Sequence, residues 1–287
     1  MPKPNDLAPV LITGCSSGVG RAAALMFRAA GFTTFASARD PAQLEPLRAA
    51  GCRVLALDVA DETSRLAAVR SIEDEFGEVG VLVNNAGYGQ YGPLEEISLD
   101  AIRRQFETNV FGGLRLSQLV LPAMRRAGCG RIITVSSVAG RVSIPGGGAY
   151  HATKFALEAL ADALRPEVEP FGIDVVNILP GPIATHFEAT LLKLIPDTGA
   201  QSPYSAFKID LVRKMREFLR PGRFGVMTPE HVARTILKAA RAKHPHSRYS
   251  VGLYAHLGPI GRAITPDRLV DFAMRADARP AKPAEIE

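Results

Sequence analysis

Two side chains in the run Gly148 to Glu158, Tyr150 and Lys154, are the first with types and spacing suited to chemistry. Four residues apart on a helix, they share one face. A phenol is a weak acid with an ordinary pKa of about 10, and a neighbouring ammonium favours the phenolate and draws that value toward neutral pH. A tyrosine placed this way could hand a proton to an alkoxide as it forms from a carbonyl. The same spacing also occurs on solvated helix faces, so the pair needs support from the rest of the chain.

Support comes from the N-terminal region. Ala8 to Ile12 is apolar and β-prone, and it runs into Thr13-Gly14-Cys15-Ser16-Ser17-Gly18-Val19-Gly20 and then the helical pattern Arg21 to Ala30. The order is strand, glycine turn, helix. Glycines at these positions supply a turn that tolerates positive φ, let backbone approach a pyrophosphate, and let the helix pack on its strand. A diphosphate then sits at the positive end of the helix. No Lys-Ser or Lys-Thr follows Gly20, which disfavours a phosphate-transferring loop.

The elements that must position these groups alternate along the chain. Strands are expected near 8–13, 32–38, 53–58, 79–84, 130–136, 172–179 and 247–252, and helices near 18–30, 41–50, 61–77, 98–127, 148–170 and 229–242. Alternation of this kind predicts βαβ units and an α/β fold, a Rossmann-like doubly wound parallel sheet. A length of 287 residues with 47% hydrophobic residues suits one such domain, over 8–278, with flexible ends at 1–7 and 279–287. No apolar run reaches the length of a membrane span and no signal-peptide core is visible, so a cytoplasmic location is the default expectation. Cys15, Cys52 and Cys129 are scattered and lack metal-ligand spacing, so reduced structural thiols are expected, with no metal and no disulfide. The net charge of +5 comes from dispersed pairs such as Arg103-Arg104 and Arg125-Arg126, which argues against a nucleic-acid stripe.

Over Val10 to about Leu253 the chain resembles the short-chain dehydrogenase/reductases. The resemblance is carried by the glycine turn, Asp58-Val59, Asn84-Asn85-Ala86-Gly87, Asn109, Ser136-Ser137, Tyr150 with Lys154, and Pro180-Gly181, all in family order. It implies a catalytic set of Asn109, Ser137, Tyr150 and Lys154. Ser137 polarises the substrate oxygen, Tyr150 transfers the proton, Lys154 holds the nicotinamide ribose and tunes the phenol, and the backbone carbonyl of Asn109 holds a relaying water. Asn84 ties neighbouring strands. Cofactor contacts are implied for Gly14, Ser16, Ser17, Gly18, Val19, Gly20, Arg39, Asp58, Val59, Asn85, Ala86, Gly87, Tyr150, Lys154, Pro180, Gly181, Ile183 and Thr185. Read without the resemblance, Asp58 could equally cap the helix that follows, and Asn109 could be an ordinary helical polar residue.

The expected cofactor is NADP(H), with NAD(H) the alternative. Members that bind NAD end the second strand with an acid, whereas here Ala38 stands there, followed by Arg39, which suits a 2′-phosphate. Asp40 would sit near the ribose if the register were one residue off. Between Pro182 and Thr228 lies a long segment whose apolar residues, among them Leu191, Leu192, Phe207, Leu211, Met215 and Phe218, recur at helical spacing. Residues 183–227 resemble the helical inserts that cover lipophilic substrates in hydroxysteroid and retinol dehydrogenases, although the same stripe could be buried core or an oligomer contact. Tyr91, Ser137, Ile144, Tyr150, His186 and Phe187 are the expected substrate pocket, with His186 a wall rather than a second acid. The implied activity is hydride transfer between nicotinamide and a carbonyl or secondary alcohol of a lipophilic molecule. The alternatives are a 3-oxoacyl-thioester reductase and a non-catalytic NADP(H) sensor. Family habit implies a homodimer or homotetramer.

Overall fold

A computed structural model of the chain describes residues 8–278 apart from 186 and 198–201, so the expected flexible ends and His186 lie outside the described residues. Seven strands form one parallel sheet: β1 Val10–Ile12, β2 Thr34–Ala38, β3 Arg53–Ala56, β4 Val81–Asn84, β5 Gly130–Val135, β6 Ile173–Pro180 and β7 Arg248–Val251. They lie in the order β3-β2-β1-β4-β5-β6-β7. The registers place Val10 opposite both Thr34 and Val81, and Thr134 opposite both Asn84 and Asn177. A parallel sheet is covered on both faces, so its strands must be apolar throughout rather than alternating. β1, β2 and β4 are buried at every position.

Two layers of helices supply the cover. On one face α1 (Gly18–Ala29) and α9 (Pro229–Arg241) pack through Ala23, Phe27, Val232 and Ile236 onto Val10, Ile12 and Val83. On the other, α3 (Glu62–Phe76), α5 (Gly112–Ala127) and α6 (Gly148–Val168) pack through Ile72, Leu116, Val120 and Ala161 onto Leu11, Leu82 and Ile132. The strand order reverses between β1 and β4. Ligands of doubly wound sheets bind outside the carboxyl ends of the strands at such a switch point.

All seven expected strands form. The helix expected over 41–50 divides into a single 3₁₀ turn, Pro41–Leu44, and α2, Glu45–Ala49. The turn is started by Asp40, whose side chain accepts from the Ala42 amide at 3.0 Å. The helix expected over 98–127 is broken into α4, Leu99–Phe106, and α5 by a wider π-helical turn, Glu107–Phe111, and turns of this kind recur at functional sites.

The segment after β6 forms α7, Phe187–Lys193, and α8, Ser205–Phe218. Its base is closed by a bridge between Ile183 and Met227, with the Ala184 amide donating to the Met227 carbonyl at 2.9 Å and the Met227 amide to the Pro182 carbonyl at 3.0 Å. Two further helices, α10 (Leu253–Ile264) and α11 (Asp267–Ala278), were not expected. Gly258, Pro259, Gly261 and Pro266 punctuate that stretch and read as helix breakers. Cys15 and Cys52 are buried, Cys129 is half-buried, and all three are free thiols.

Candidate active site

The glycine turn is built for close approach. A Cβ at Gly20 would lie 2.3 Å from the Gly14 carbonyl oxygen, and one at Gly14 would lie 2.9 Å from the Ala86 Cα. Gly14 and Gly18 have φ of +71° and +57°, in the left-handed region that glycine enters without strain. Turn, helix and the loop after β4 therefore close together only on these residues. Thr13 locks them, its hydroxyl accepting from the amides of Asn85 and Ala86 at 3.0 and 2.9 Å. The Asn85 amide group donates back to the carbonyls of Thr13 and Gly14 at 2.8 and 3.2 Å. The Asn85 side chain is thus spent bracing the turn from beneath.

The first turn of α1 carries no acid, and Ser17, its N-cap, makes no capping bond through its hydroxyl. The exposed Ser17, the half-buried Ser16 and Gly18, and the Thr185 methyl, 3.5 Å from where a Gly18 Cβ would stand, bound a recess at the positive end of the helix. Val19 is buried in the core beneath it. Asp58 accepts from the Ala60 amide at 3.0 Å and leaves α3 to be capped by Asp61. Val59 is buried against Gly112, where a Cβ would meet the Val59 carbonyl oxygen at 2.5 Å. Pro180 and Gly181 are buried at the end of β6, and Ile183 stands in the bridge to Met227.

β2 ends at the buried Ala38, and Arg39 follows, exposed. The Asp40 carboxylate accepts from the Ala42 amide and from the Gln43 side chain, at 3.0 and 3.3 Å. Burial raises the pKa of the Tyr88 phenol, and the guanidiniums of Arg104 and Arg39 oppose that rise. Two cations therefore lie within electrostatic reach of one point on this rim.

Ser137, Tyr150 and Lys154 come together where β5 ends and α6 begins. Ser137 caps the short turn Val138–Gly140, accepting from the Ala139 amide at 3.1 Å, and its own proton has only a 3.5 Å approach to the Pro180 carbonyl. Ser136 is turned into the core, with its hydroxyl buried and unpartnered. Tyr150 and Lys154 lie on one face of α6, with the Lys154 Nζ 5.7 Å from the Tyr150 ring centre and donating to the Val135 carbonyl at 2.8 Å.

Burial pushes the Tyr150 phenol up to about 12, against a lowering by the Ser137 hydroxyl, and burial takes the Lys154 amine down to about 8. The expected lowering of the phenol by Lys154 is not found: burial raises it, and the Ser137 hydroxyl rather than the Lys154 ammonium opposes the rise. The Asn109 side chain accepts from the Tyr88 amide at 3.0 Å and donates to the Tyr88 carbonyl and the Thr153 hydroxyl at 2.9 and 3.2 Å. It fastens the loop after β4 to the helix that carries Tyr150. Gly87 sits under it, 3.1 Å from the Asn109 Oδ1 to a Cβ site. Asn84, expected to tie neighbouring strands, instead donates to the Gly113 carbonyl and the Ser117 hydroxyl on α5, at 3.2 and 3.1 Å.

An apolar enclosure closes over Tyr150. Its ring centre lies 5.7 Å from that of Tyr91 and 5.5 Å from that of Phe187, and Ile144, Leu191, Leu211 and Met215 are among the others in the cluster. The expected wall residues Tyr91, Ile144 and Phe187 are thus brought together with helices α7 and α8. His151 was missed as a site residue. Its Nδ1 lies 2.6 Å from the Val142 carbonyl oxygen, so it must carry the proton, and Nε2 faces the Tyr91 hydroxyl at 3.4 Å as an acceptor. Burial holds its pKa below the ordinary value, against the Val142 carbonyl, which raises it. Only the three-dimensional contact with Tyr91, sixty positions away, reveals it.

A family model described as short chain dehydrogenase matches residues 8–193. The chain is 36% identical over 255 residues to human 17-beta-hydroxysteroid dehydrogenase type 1, covering 84% of this chain and 76% of that protein. It is 34% identical to a 3-ketodihydrosphingosine reductase of Bacteroides thetaiotaomicron, covering 93% of this chain and 96% of that one. A solved short-chain dehydrogenase from Streptomyces avermitilis superposes with a TM-score of 0.79 at 32% identity, covering 94% of this chain and 96% of that one.

Proposed function

From the premise that the chain belongs to the short-chain dehydrogenase family, oxidoreductases that use NAD(P) on alcohol and carbonyl groups, we propose that it is an NADP(H)-dependent reductase of lipophilic ketones. The observation that carries this reading is the enclosure of Tyr150 by apolar side chains of the loop after β4 and of α7 and α8, directly beside Ser137. A bulky apolar substrate gains by entering such a pocket, at about 25 cal/mol per Å² of apolar surface removed from water. Two of the relatives carry the names of enzymes for a hydroxysteroid and for 3-ketodihydrosphingosine, both lipophilic molecules.

The glycine turn suits a dinucleotide cradle, because a side chain at Gly14 or Gly20 would strike Ala86 or the Gly14 carbonyl and force the tight turn open. Gly14, Ser16, Ser17, Gly18 and the first turn of α1 would hold the pyrophosphate, Ala86, Gly87 and Asp58 the adenosine, and Lys154, Gly181 and Thr185 the nicotinamide end. The nicotinamide so held supplies or takes the hydride. Arg39 beside Ala38 offers a guanidinium fork to a 2′-phosphate, and Asp40, committed to the turn that follows, offers no carboxylate to a 2′-hydroxyl.

Tyr150 is protonated throughout the neutral range, so it is poised to give its proton to the oxygen of a carbonyl under reduction. Ser137, whose proton is only loosely held by Pro180, donates to the same oxygen as charge develops there. Lys154, with a pKa near neutrality, is suited to return a proton to Tyr150. Asn109 acts as a positioning residue that holds α6 at its working distance from the loop after β4. The test is NADPH consumption at the nicotinamide absorbance with steroid, sphingoid-like and short aliphatic ketones. Turnover of the short ketones alone, or preference for NADH, would overturn the reading.

A further inference from the structure

The most exposed large apolar side chains among the described residues are Phe224, Ile264 and Phe272, at 81%, 77% and 72%. Phe224 precedes Gly225, which packs against Tyr254 of α10, and Ile264 and Phe272 lie on α10 and α11, which the Arg262–Asp267 ion pair joins. On α10, Leu253, Leu257, Ile260 and Ile264 recur at i, i+4, i+7 and i+11, a single helical stripe, and all four face solvent. The packed side of the helix is the opposite one. Ala255 is buried there, and a Cβ at Gly258 would stand 3.3 Å from Val138.

α11 repeats the pattern, with Leu269, Phe272 and Ala273 on one face and Arg268, Asp271 and Arg275 on the other. The segment 220–225 joins this surface at the first turn of α10. The Arg223 guanidinium lies 5.6 Å from the Phe218 ring centre, that ring lies 5.4 Å from Tyr254, and a Cβ at Gly225 would touch Tyr254 at 2.6 Å.

Charge decides what covers it. Between Ser205 and Gly225 the chain carries Lys208, Arg213, Lys214, Arg216, Arg220 and Arg223 against only Asp210 and Glu217. Lys208 pairs with Glu96, and Arg213 and Lys214 share Asp210. Arg216, Arg220 and Arg223 form no ion pair among the described residues. A second copy docked about a two-fold axis would present the same three guanidiniums to themselves. An anionic lipid surface instead supplies phosphates for the arginines and an acyl boundary for the apolar stripe.

We infer that α10, α11 and the segment 220–225 form an interfacial docking surface for anionic membranes. The helices lie on the bilayer rather than through it, since among the described residues no helix is long and apolar enough to cross one. α10 packs on the turn Val138–Gly140 that Ser137 caps, so docking brings the lipid boundary alongside the enclosure around Tyr150. The inference goes beyond the proposed reaction, and its test needs no substrate.

The full chain is sedimented with vesicles of phosphatidylcholine alone and of phosphatidylcholine mixed equally with phosphatidylglycerol, at low and high salt. Binding is expected to the mixed vesicles and to weaken with salt. The double substitution Ile260→Asp and Ile264→Asp, at exposed positions that spare the fold, lowers binding roughly tenfold or more. Arg220→Glu with Arg223→Glu weakens it by about fivefold per arginine. Thermal melts of each variant confirm that the fold is retained, and NADPH affinity stays at the unmodified value. Absence of binding to either vesicle, or binding that both double variants retain, would overturn the inference. So would concentration-dependent self-association in sedimentation velocity that Ile260→Asp with Ile264→Asp abolishes, because the occupant is then a second copy.

Discussion

The Lys208 ammonium on α8 meets the Glu96 carboxylate at 2.9 Å, with the two side chains only 11% and 10% exposed. Around this contact the loop after β4 and the segment after β6 are laced together. The Lys208 Nζ also donates to the Pro196 carbonyl at 3.2 Å, the Gln90 side chain donates to the Leu194 carbonyl, and the Ser202 and Tyr204 hydroxyls bond Glu96 and Glu95. The cover over Tyr150 is therefore held by buried charge as well as by apolar packing.

Removing one partner should loosen that cover. Lys208→Met leaves Glu96 charged and enclosed, a change that costs roughly 3 to 5 kcal/mol where a buried pair is broken from one side. A lower melting temperature is expected, with a raised KM for large ketones and a smaller change for short ones. A KM increase equal for both sizes would show that the latch does not act on the pocket.

Tyr150→Phe should abolish ketone reduction, with a loss of at least about a hundredfold, the usual worth of a positioned general acid. NADPH affinity, read by fluorescence titration, should stay within about twofold, because the recess is built by the glycine turn. Ser137→Ala removes one donor to the developing oxyanion and should cost roughly a hundredfold to a thousandfold in kcat, with KM little changed.

Lys154 should add to the stability of the protein as pH rises between 8 and 10.5, against the opposite contribution above about 9 of Cys15, whose thiol burial raises from 9.0 to about 12. Lys154 titrates at about 8 when folded against an ordinary 10.5, so across that window the unfolded chain binds more protons and rising pH favours the folded one. The relief is on the order of 3 kcal/mol. Tyr150 works the other way, since its folded value of about 12 lies above the ordinary 10, and its contribution is lost as pH climbs between them. Lys154→Met should flatten the rise in chemical-denaturation curves measured across pH. A rise that persists in the variant would assign it to another group.

Ala38→Asp should exchange the cofactor preference. A carboxylate at the end of β2 repels a 2′-phosphate and accepts from a 2′-hydroxyl, and one charge-assisted hydrogen bond corresponds to roughly tenfold to a hundredfold. The ratio of kcat/KM for NADPH over NADH is the readout. An unchanged ratio would place the discriminating contact elsewhere on the rim formed by Arg39, Tyr88 and Arg104.

The frame was legible because a strand of a parallel sheet is apolar on both faces, so Val10 to Ile12 or Val81 to Val83 stands out as an uninterrupted run. Tyr150 and Lys154 were legible because both lie within one helical turn. What lay hidden depends on contacts far apart in sequence. His151 gains its meaning from Val142 and Tyr91, and Lys208 from a carboxylate more than a hundred positions earlier. Asn84 and Asn85 could be assigned to the end of β4 and the loop after it but not to the groups their amides bond. Lys154 in the sequence suggests an acidified tyrosine, whereas the desolvation that raises it exists only once α7 and α8 close over the ring. α10 escaped notice because its glycines and proline mask an amphipathic pattern.

The bridge between Ile183 and Met227 gives the chain a modular seam. The chain departs from and returns to this one bridge, between the end of β6 and the start of α9, so the intervening length is decoupled from strand register. A segment of different size could be grafted across the seam without disturbing the strands on either side. By the same logic, lineages could diversify in the cover over Tyr150 while the glycine turn and the first turns of α6 stayed constant.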